Sequence, residues 1–391
     1  MRLSSLVDRV GGPSVRAWDL HYTAQAEQRR GADVIVLSVG DPDFDTPPAI
    51  VSRAVAALEG GDTHYTDVIG RTELRAAVAA EHARHSGQAV GPEHVAILAG
   101  AQNALFAASL CLAERGDEVI VAEPMYLTYP AVFSLGGATL VPVECSAAHG
   151  FHLDPAHIAR AITPRTRAIC YASPNNPTGA ACTRAELEGV AALAREHDLW
   201  VVADEVYGHV CFEATHQSIA ALPGMAERTV TISSVSKSYA MTGWRAGWMI
   251  APPTLIAHVQ DLALCMLYGL PGFVQQAVLE AITNGAADVE RMRTAYRRRR
   301  DLALEVLGAV PMLKCLKPEA GMFMLVDVRG TGLTVEQFTQ GLYAATGVST
   351  LDAAAFGPRL AGYVRLSFAV GDERLREACE RIRRYVERRT A

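Results

Sequence analysis

Short apolar runs alternate with stretches of helical periodicity over residues 94–251. The runs predict strands, at 94–98, 118–122, 139–143, 168–172, 200–203, 229–233 and 247–250. The intervening stretches predict helices, including 103–113, 127–135, 155–162 and 184–197. Strands that are apolar along nearly their whole length and alternate with helices indicate a mostly parallel sheet covered on both faces. The pattern therefore predicts an α/β fold.

The chain has 391 residues, which exceeds one typical core and predicts two domains. The pattern changes after residue 253 to long helices, then strands at 312–316, 322–328 and 363–368, and a last helix from 373. This α+β pattern predicts a smaller domain made of 286–391 and the N-terminal segment 1–47. The predicted strand at 34–39 belongs with it, because no helical crossover precedes that strand. The large domain is predicted at 48–285.

Composition excludes several classes of function. The net charge of −6 and the pI near 6.1 argue against nucleic acid as a partner. No apolar run is long enough for a membrane span, and residues 1–10 do not resemble a signal peptide. The eight cysteines are scattered without a Cys-x-x-Cys pair, so we expect reduced thiols in a cytoplasm and no metal site. The basic run at 297–300 lies in a predicted helix, 289–307, and is interpreted as a solvated face.

Lys237 lies in the segment Ser-Ser-Val-Ser-Lys-Ser-Tyr-Ala-Met-Thr-Gly-Trp-Arg, residues 233–245. A lysine amine attacks carbonyl groups well only when burial or a neighbouring charge lowers its pKa. Ser234 and Arg245 are residues that an anionic phosphate beside this amine would require. Together they predict a lysine that holds an aldehyde cofactor with a phosphate, namely pyridoxal 5′-phosphate. The alternative is an ordinary surface lysine in a loop.

Two further segments suit that cofactor. Gly100-Ala101-Gln102 follows a predicted strand and opens a helix, so its amides would point at the phosphate. Asp204 ends an apolar strand, where a carboxylate is costly unless a cation pairs with it. The protonated pyridine nitrogen of the cofactor is such a cation. A plain strand-to-helix turn remains the alternative for residues 100–102.

The sequence also contains candidate residues for binding the other parts of the cofactor and the substrate carboxylate. Tyr207 and Asn176 would bond the phenolic oxygen of the ring, and Tyr126 would stack on the ring. Arg365 lies within an apolar strand, where its guanidinium suits a substrate carboxylate. A simple turn at Asn-Asn-Pro-Thr-Gly, and a core tyrosine at 126, are the alternatives.

These motifs, in this order, resemble the fold-type I enzymes that use pyridoxal phosphate, specifically the class I/II aminotransferases of the aspartate aminotransferase family. The resemblance runs from Val-Gly-Asp-Pro-Asp-Phe-Asp-Thr-Pro at 39–47 to Tyr-Val-Arg-Leu-Ser-Phe at 363–368. It implies a three-layer fold and a homodimer with shared active sites. It also implies a ping-pong transfer of an α-amino group to a 2-keto acid through pyridoxamine phosphate.

The resemblance assigns roles residue by residue. Lys237 would form the Schiff base and shuttle the substrate proton, with Asp204 and Tyr207 as further catalytic residues. The other residues implied to bind the cofactor are Ala101, Gln102, Tyr126, Asn176, Ser234, Arg245 and, from the neighbouring subunit, Tyr65. The residues implied to bind the substrate backbone are Gly40, Asn176 and Arg365. Tyr268 and Phe323 would help to line the substrate pocket.

The amino acid donor is less constrained. Gln102 replaces the lysine of the Gly-Gly-Lys motif in related aspartate aminotransferases, which lowers the odds of an acidic substrate. The segments 17–22, 63–67, 122–126 and 262–269 resemble bacterial arginine:pyruvate transaminases, which implies arginine as donor and pyruvate as acceptor. A guanidinium side chain needs a carboxylate partner, and Asp67 and Asp19 are the candidates. The alternative is that Asp67 caps a turn and Asp19 is solvated.

Other functions remain possible on these residues. An aspartate, aromatic or broad-range aminotransferase would use the same cofactor, and so would a C–S β-lyase. A non-catalytic effector domain of a transcription regulator would need a DNA-binding domain, for which the chain before the first strand is expected to be too short. An α/β protein without a cofactor would carry an unreactive Lys237.

Overall fold

The computed structural model describes residues 3–4, 6–7 and 18–389. Its helices are α1 (Asp19–Arg29), α2 (Pro48–Glu59), α3 (Thr72–Ser86), α4 (Ala101–Leu112), α5 (Tyr129–Leu135), α6 (Pro155–Ala161), α7 (Arg184–Glu196), α8 (Val235–Ser238), α9 (Pro253–Met266), α10 (Gly272–Asn284), α11 (Ala286–Gly308), α12 (Val335–Thr346) and α13 (Asp372–Glu387). None of these helices is both long and apolar enough to cross a bilayer.

The strands in the same described residues form three sheets. They are β1 (Ile35–Val36), β2 (Val95–Leu98), β3 (Glu118–Glu123), β4 (Thr139–Glu144), β5 (Thr166–Ala172), β6 (Trp200–Asp204), β7 (Thr229–Ser234), β8 (Gly247–Ile250), β9 (Lys314–Cys315), β10 (Phe323–Asp327), β11 (Val348–Ser349), β12 (Leu351–Asp352) and β13 (Tyr363–Ser367). The largest sheet has the order β2-β8-β7-β6-β5-β3-β4, and β8 alone runs antiparallel to its neighbours. The seven strands predicted between residues 94 and 250 are all present, so the α/β prediction is confirmed.

The large sheet is covered on both faces, because successive side chains of each strand alternate between them. Val202 and Ile232 pack with α4 and α9 in one core. Val201 packs with α7 in a second core on the other face, and Trp248 packs with α3 and α10 in a third. Helices on both faces of a sheet make the predicted three-layer architecture.

A second, antiparallel sheet has the order β12-β13-β10-β9. It carries the predicted strands 322–328 and 363–368, whereas the strand predicted at 312–316 is reduced to β9. The strand predicted at 34–39 is also shorter, since only Ile35–Val36 pairs, in parallel with β11. The predicted domain boundaries at 47/48 and 285/286 remain a prediction. Residues 1–2, 5 and 8–17 of the N-terminal segment, including most of the 1–10 stretch and Ala17, lie outside the described residues.

The basic run at 297–300 is only partly solvated, so its interpretation as a solvated face was wrong. Arg299 is buried and binds Asp43 at 2.7 Å and Asp372 at 2.8 Å. Arg300 is buried as well and binds Glu213 at 2.6 Å. The error arose because carboxylates from distant segments meet these two guanidinium groups, which periodicity along one helix does not reveal.

Candidate active site

A cavity of about 260 Å³ opens at the carboxyl ends of β5, β6 and β7. Polar residues gather there because parallel strands end at the same edge of a sheet. Most of the predicted site residues line this cavity, namely Gly40, Ala101, Gln102, Tyr126, Asn176, Asp204, Tyr207, Ser234, Lys237, Arg245, Phe323 and Arg365. The sequence predicted that these residues share one crevice, and the structure places them around one cavity.

Lys237 lies on the one-turn helix α8, directly after β7. Its Nζ donates a hydrogen bond to the carbonyl oxygen of Gly40 at 2.7 Å. Burial is the main cause that lowers the pKa of this amine to about 8, and this value includes the opposing effect of Asp41 and the smaller lowering effects of Arg365 and Arg245. A substantial share of the amine is therefore neutral near pH 8, which is the nucleophilic form.

Asp204 ends β6 inside the cavity, with no cationic partner in the part of the chain that the structure describes. The hydroxyl of Tyr129 donates to its Oδ2 at 2.7 Å, and the amide of Val206 donates to its Oδ1 at 3.2 Å. Burial raises the pKa of this carboxyl, and within residues 18–389 no lysine, arginine or histidine forms an ion pair with it. A half-buried carboxylate of this kind fits a ligand that brings its own positive charge, as a pyridinium does.

Arg365 carries the opposite charge and lies on β13 of the second, antiparallel sheet. It is only 2% exposed, and its guanidinium lies over the ring of Phe323 at 4.3 Å from the ring centre. Nη1 donates to Oδ1 of Asn176 at 3.0 Å, Nη2 donates to the carbonyl oxygen of Ser38 at 2.7 Å, and Nε has no partner. Burial lowers the pKa of Arg365 to about 10, and no carboxylate among residues 18–389 pairs with it. The guanidinium is therefore available to a ligand carboxylate.

A network behind Arg365 was not predicted from the sequence. His21 Nδ1 lies 2.9 Å from Ser38 Oγ, which lies 3.1 Å from Ser349 Oγ. Burial and the charge of Arg365 lower the pKa of His21, so the imidazole is neutral at pH 7. Trp18 packs edge-on against His21 at 5.2 Å and lines the cavity. The segment 17–22 had been noted only for its bearing on the donor, and its aromatic residues were the available signal.

The phosphate end of the predicted site is a tight backbone cradle. Gly100 has a φ of 84°, and a side-chain carbon placed there would lie 2.8 Å from Nη2 of Arg245. Only glycine leaves that space free. Ala101 opens the helix α4, so its amide faces the cavity with the positive end of a twelve-residue helix. Ser234 lines the same end. This arrangement of amides and a guanidinium fits a bound phosphate.

The two predicted phenols in the cavity are held as hydrogen-bond donors. Burial raises the pKa of Tyr207 and of Tyr126, so both hydroxyls keep their protons at neutral pH. The ring of Tyr207 packs edge-on against Phe323, with ring centres 5.8 Å apart. Tyr129, which binds Asp204, was missed, because a tyrosine at the start of a helix carries no local signal that separates it from a core tyrosine.

Four predicted site residues do not line the cavity. Tyr65 is 85% exposed, and its ring lies 4.7 Å from that of the half-exposed Tyr268. Asp67 is exposed two residues after Tyr65. Asp19 is exposed at the start of α1, next to Trp18. The structure of one chain thus places none of these four in the cavity, and their roles remain predictions.

Comparisons with known proteins agree with this geometry. The sequence model of the family described as aminotransferase class I and II matches residues 32–382. The arginine–pyruvate transaminase AruH of Pseudomonas aeruginosa is 52% identical over 98% of this chain and 97% of its own length. The aspartate/prephenate aminotransferase of Thermus thermophilus is 40% identical over 92% and 93%. A structure of the Thermus thermophilus aspartate aminotransferase with maleate superposes with a TM-score of 0.93 at 38% identity, covering 98% of this chain and all of that one.

Proposed function

This chain belongs to the class I and II aminotransferase family, and from that premise we propose that it binds pyridoxal 5′-phosphate and moves the α-amino group of L-arginine to pyruvate. The family is shown by the match over residues 32–382. The cofactor follows from the members of that family, which depend on pyridoxal phosphate. The donor and acceptor are those in the name of the relative that is 52% identical.

The observation that carries the proposal is a pair of charges in one cavity, on a half-buried carboxylate and a buried guanidinium, that have no oppositely charged partner among residues 18–389. Asp204 has no cation and Arg365 has no carboxylate among the described residues, and the amine of Lys237 lies in the same cavity. A fold holds such charges at a cost of several kcal/mol unless a ligand completes them. A cofactor with a pyridinium and a substrate with a carboxylate would complete both.

Bound pyridoxal phosphate would supply an electron sink that acidifies the Cα–H bond of the substrate. The protein would supply the rest. Lys237, with its lowered pKa, is suited to take the Cα proton and to return it at the other end of the reaction. Arg365 would hold the substrate carboxylate and so fix the direction of the Cα–H bond.

Asn176 has a second role in this arrangement. Its Oδ1 accepts a hydrogen bond from Arg365 at 3.0 Å, which leaves its Nδ2 free to donate. The neutral phenol of Tyr207 is also a donor. We propose that both groups donate to the phenolic oxygen of the cofactor, while the carboxylate of Asp204, held by Tyr129, accepts from the ring nitrogen.

We also propose a homodimer in a cytoplasm. Tyr65 and the half-exposed Tyr268 lie together on the surface, and Val51, Val55 and Leu58 expose further apolar area on α2. A second subunit would cover these side chains and would place Tyr65 at the neighbouring cofactor phosphate, as the family resemblance implies. The eight cysteines are free thiols, which is consistent with a reducing compartment.

A donor screen tests the function. Purified protein with pyridoxal phosphate is given arginine, lysine, aspartate, alanine and aromatic amino acids, each with pyruvate or 2-oxoglutarate, and the amino acid and keto acid products are quantified. We expect the largest kcat/KM for arginine with pyruvate, with one alanine formed per arginine consumed. Preference for another donor would overturn the arginine assignment, and pyruvate and ammonia from a single substrate would indicate a lyase.

A further inference from the structure

A second cavity, of about 380 Å³, lies at the same edge of the large sheet but on its opposite face. Ser234 of β7 lines the first cavity, whereas Ser233 and Thr231 line the second. This division follows from the alternation of side chains along a strand. The second cavity therefore lies directly behind the candidate active site and is not part of it.

The wall of this cavity is unusually polar for the interior of a sheet. Its face of β7 carries Thr229, Thr231 and Ser233, while the neighbouring strands β6 and β8 place apolar side chains on that face. The hydroxyl groups of Thr231 and Ser218 have no hydrogen-bond partner among the described residues, although the two residues are only 2% and 5% exposed. Both line the cavity. Buried polar groups without partners point to a bound polar species.

Three possible metal ligands converge in this cavity. Glu81 and His85 are separated by four residues on α3 and therefore lie on one face of that helix. His209 lies in the short turn that follows β6. One ligand atom from each residue lies within 4.8 Å of the other two. The Nε2 of His209 is 3.0 Å, and the Nε2 of His85 is 3.8 Å, from Oε1 of Glu81.

We propose that Glu81, His85 and His209 bind one divalent transition-metal ion, of the Zn²⁺ class. Two imidazoles and a carboxylate are a donor set that Zn²⁺ accepts, at bond lengths of about 2.0–2.2 Å. Tetrahedral bonds of that length separate neighbouring ligand atoms by about 3.3–3.5 Å. The distances of 3.0 Å and 3.8 Å lie on either side of this value, so small side-chain rotations suffice.

The surroundings allow a fourth ligand and an entry path. His85 is about half exposed, so an ion reaches the site from solvent. The imidazole of His216 lines the same cavity. Neither ring nitrogen makes a hydrogen bond of good geometry within residues 18–389, although Nε2 lies 3.0 Å from a carboxylate oxygen of Glu205. Water on an open coordination position would meet these groups and the unpartnered hydroxyls.

Two arginines line the cavity, and one of them is neutralised by a partner of its own. Arg293 lines it but binds Glu290 at 2.7 Å and the carbonyl oxygen of Cys211 at 3.1 Å. Arg84 also lines it, and its charge opposes a cation. This opposition limits the affinity and favours a metal with strong imidazole bonds over Ca²⁺ or Mg²⁺, which prefer oxygen ligands.

The ion would join two parts of the chain that the candidate active site depends on. His209 follows Tyr207 by two residues, and it follows Asp204, the last residue of β6, by five. A bond from this segment to α3 would restrain the position of both catalytic candidates from behind the sheet. The expected readout is stability, because ligand binding to the folded state alone raises the melting temperature.

The test uses the untagged full-length chain with its cofactor, treated with a chelator and then dialysed. Equilibrium dialysis against ZnCl₂ with metal analysis, and thermal unfolding with and without ZnCl₂, are measured for the parent and for His85→Ala, His209→Ala and His258→Ala. His258 is the matched control, an exposed histidine on α9 outside the cavity. We expect one Zn²⁺ per chain at micromolar concentration and a rise in Tm in the parent and His258→Ala.

In His85→Ala and His209→Ala we expect the Zn²⁺ affinity to fall at least tenfold and the rise in Tm to disappear. Because His85 is half exposed, that variant folds even where His209→Ala does not, and it then decides the matter alone. No bound Zn²⁺ in the parent overturns the proposal. Equal Zn²⁺ binding by parent and His85→Ala also overturns it, because the ion would then lie elsewhere, for example at the cofactor phosphate.

Discussion

The two cavities at the carboxyl edge of the large sheet differ in how their charges are balanced. The cavity of the candidate active site, lined by Lys237, is called the front cavity. In it, Asp204 and Arg365 each lack an oppositely charged partner among the described residues. The second cavity, on the opposite face of the sheet, is called the rear cavity. In it, Glu81 lies 3.0 Å from His209 and Glu205 lies 3.0 Å from His216. A cavity with isolated charges of both signs fits a large zwitterionic ligand. A cavity with paired carboxylates and imidazoles fits a small cation or stands without a ligand.

The largest effect should come from Lys237→Ala. Removing the amine removes both the covalent attachment and the proton carrier, so we expect transaminase activity to fall at least about 10⁴-fold. Borohydride treatment followed by mass spectrometry should attach the cofactor to the parent and not to the variant. Zn²⁺ binding should be unchanged, since Lys237 lies in the front cavity. Retention of full activity by Lys237→Ala would break the assignment of the front cavity.

A smaller effect is expected for Arg365→Lys. Lysine keeps the charge but loses the planar pair of donors and the stacking on Phe323. We expect kcat/KM for every amino acid donor to fall about 10²-fold, mainly through KM, because each loses the same carboxylate contact. Steady-state kinetics with arginine and alanine measure this. A loss confined to arginine would show that Arg365 reads the side chain instead.

Asp67→Asn tests whether Asp67 recognises the side chain of the substrate or affects the binding of every donor equally. If Asp67 of a neighbouring subunit binds the guanidinium of arginine, we expect kcat/KM for arginine to fall about tenfold and that for alanine to change by less than about twofold. Asp19→Asn provides the matched comparison, because Asp19 is the other exposed candidate. Equal losses with both donors in Asp67→Asn would refute a role in selecting arginine.

The smallest effect is the pH dependence of cofactor capture by the cofactor-free chain. Only the neutral amine of Lys237 attacks the aldehyde, and its pKa is lowered to about 8. The capture rate should therefore rise about fivefold from pH 7 to pH 8 and level off above pH 8.5. Stopped-flow absorbance measures this rate. A rate that still rises about eightfold from pH 9 to pH 10 would show an unperturbed lysine.

The lowered pKa of Lys237 also predicts how the stability of the cofactor-free chain depends on pH. Between pH 8 and the ordinary lysine value of 10.5, the unfolded chain binds more protons at residue 237 than the folded chain. Stability from this group therefore rises with pH across that window. The Lys237→Met variant should lack this rise, which urea unfolding at pH 8 and pH 10 would measure.

The sequence predicted the front cavity well because its residues occur in short segments directly after strands. In such a sheet, strand order alone brings 100–102, 173–179, 204–207 and 233–245 to one edge. The chemistry of a lysine, a carboxylate and an arginine then indicates the cofactor and the substrate class. Tyr129 was missed because nothing in its local sequence distinguishes it from a core tyrosine.

The rear cavity could not be predicted in this way. Glu81 and His85 are one helical turn apart, but His209 joins them only through the folding of more than a hundred intervening residues. The expectation that the chain has no metal site rested on cysteine spacing and did not consider this cluster. The buried pairing of Arg299 with Asp43 was missed for the same reason. Recognition of the donor side chain stays a prediction, because Asp67 and Asp19 are exposed in a single chain.

Residues 38–43 link the cavity to the helices of the C-terminal part. The carbonyl oxygen of Ser38 accepts a hydrogen bond from Arg365, and that of Gly40 accepts one from Lys237. Asp43 binds Arg299 on α11. One six-residue stretch thus carries contacts to both reactive ends of the cavity and to a buried guanidinium outside it. Substitutions at Arg299 would loosen the backbone that aligns both groups, so directed evolution of donor range has productive targets well outside the cavity wall.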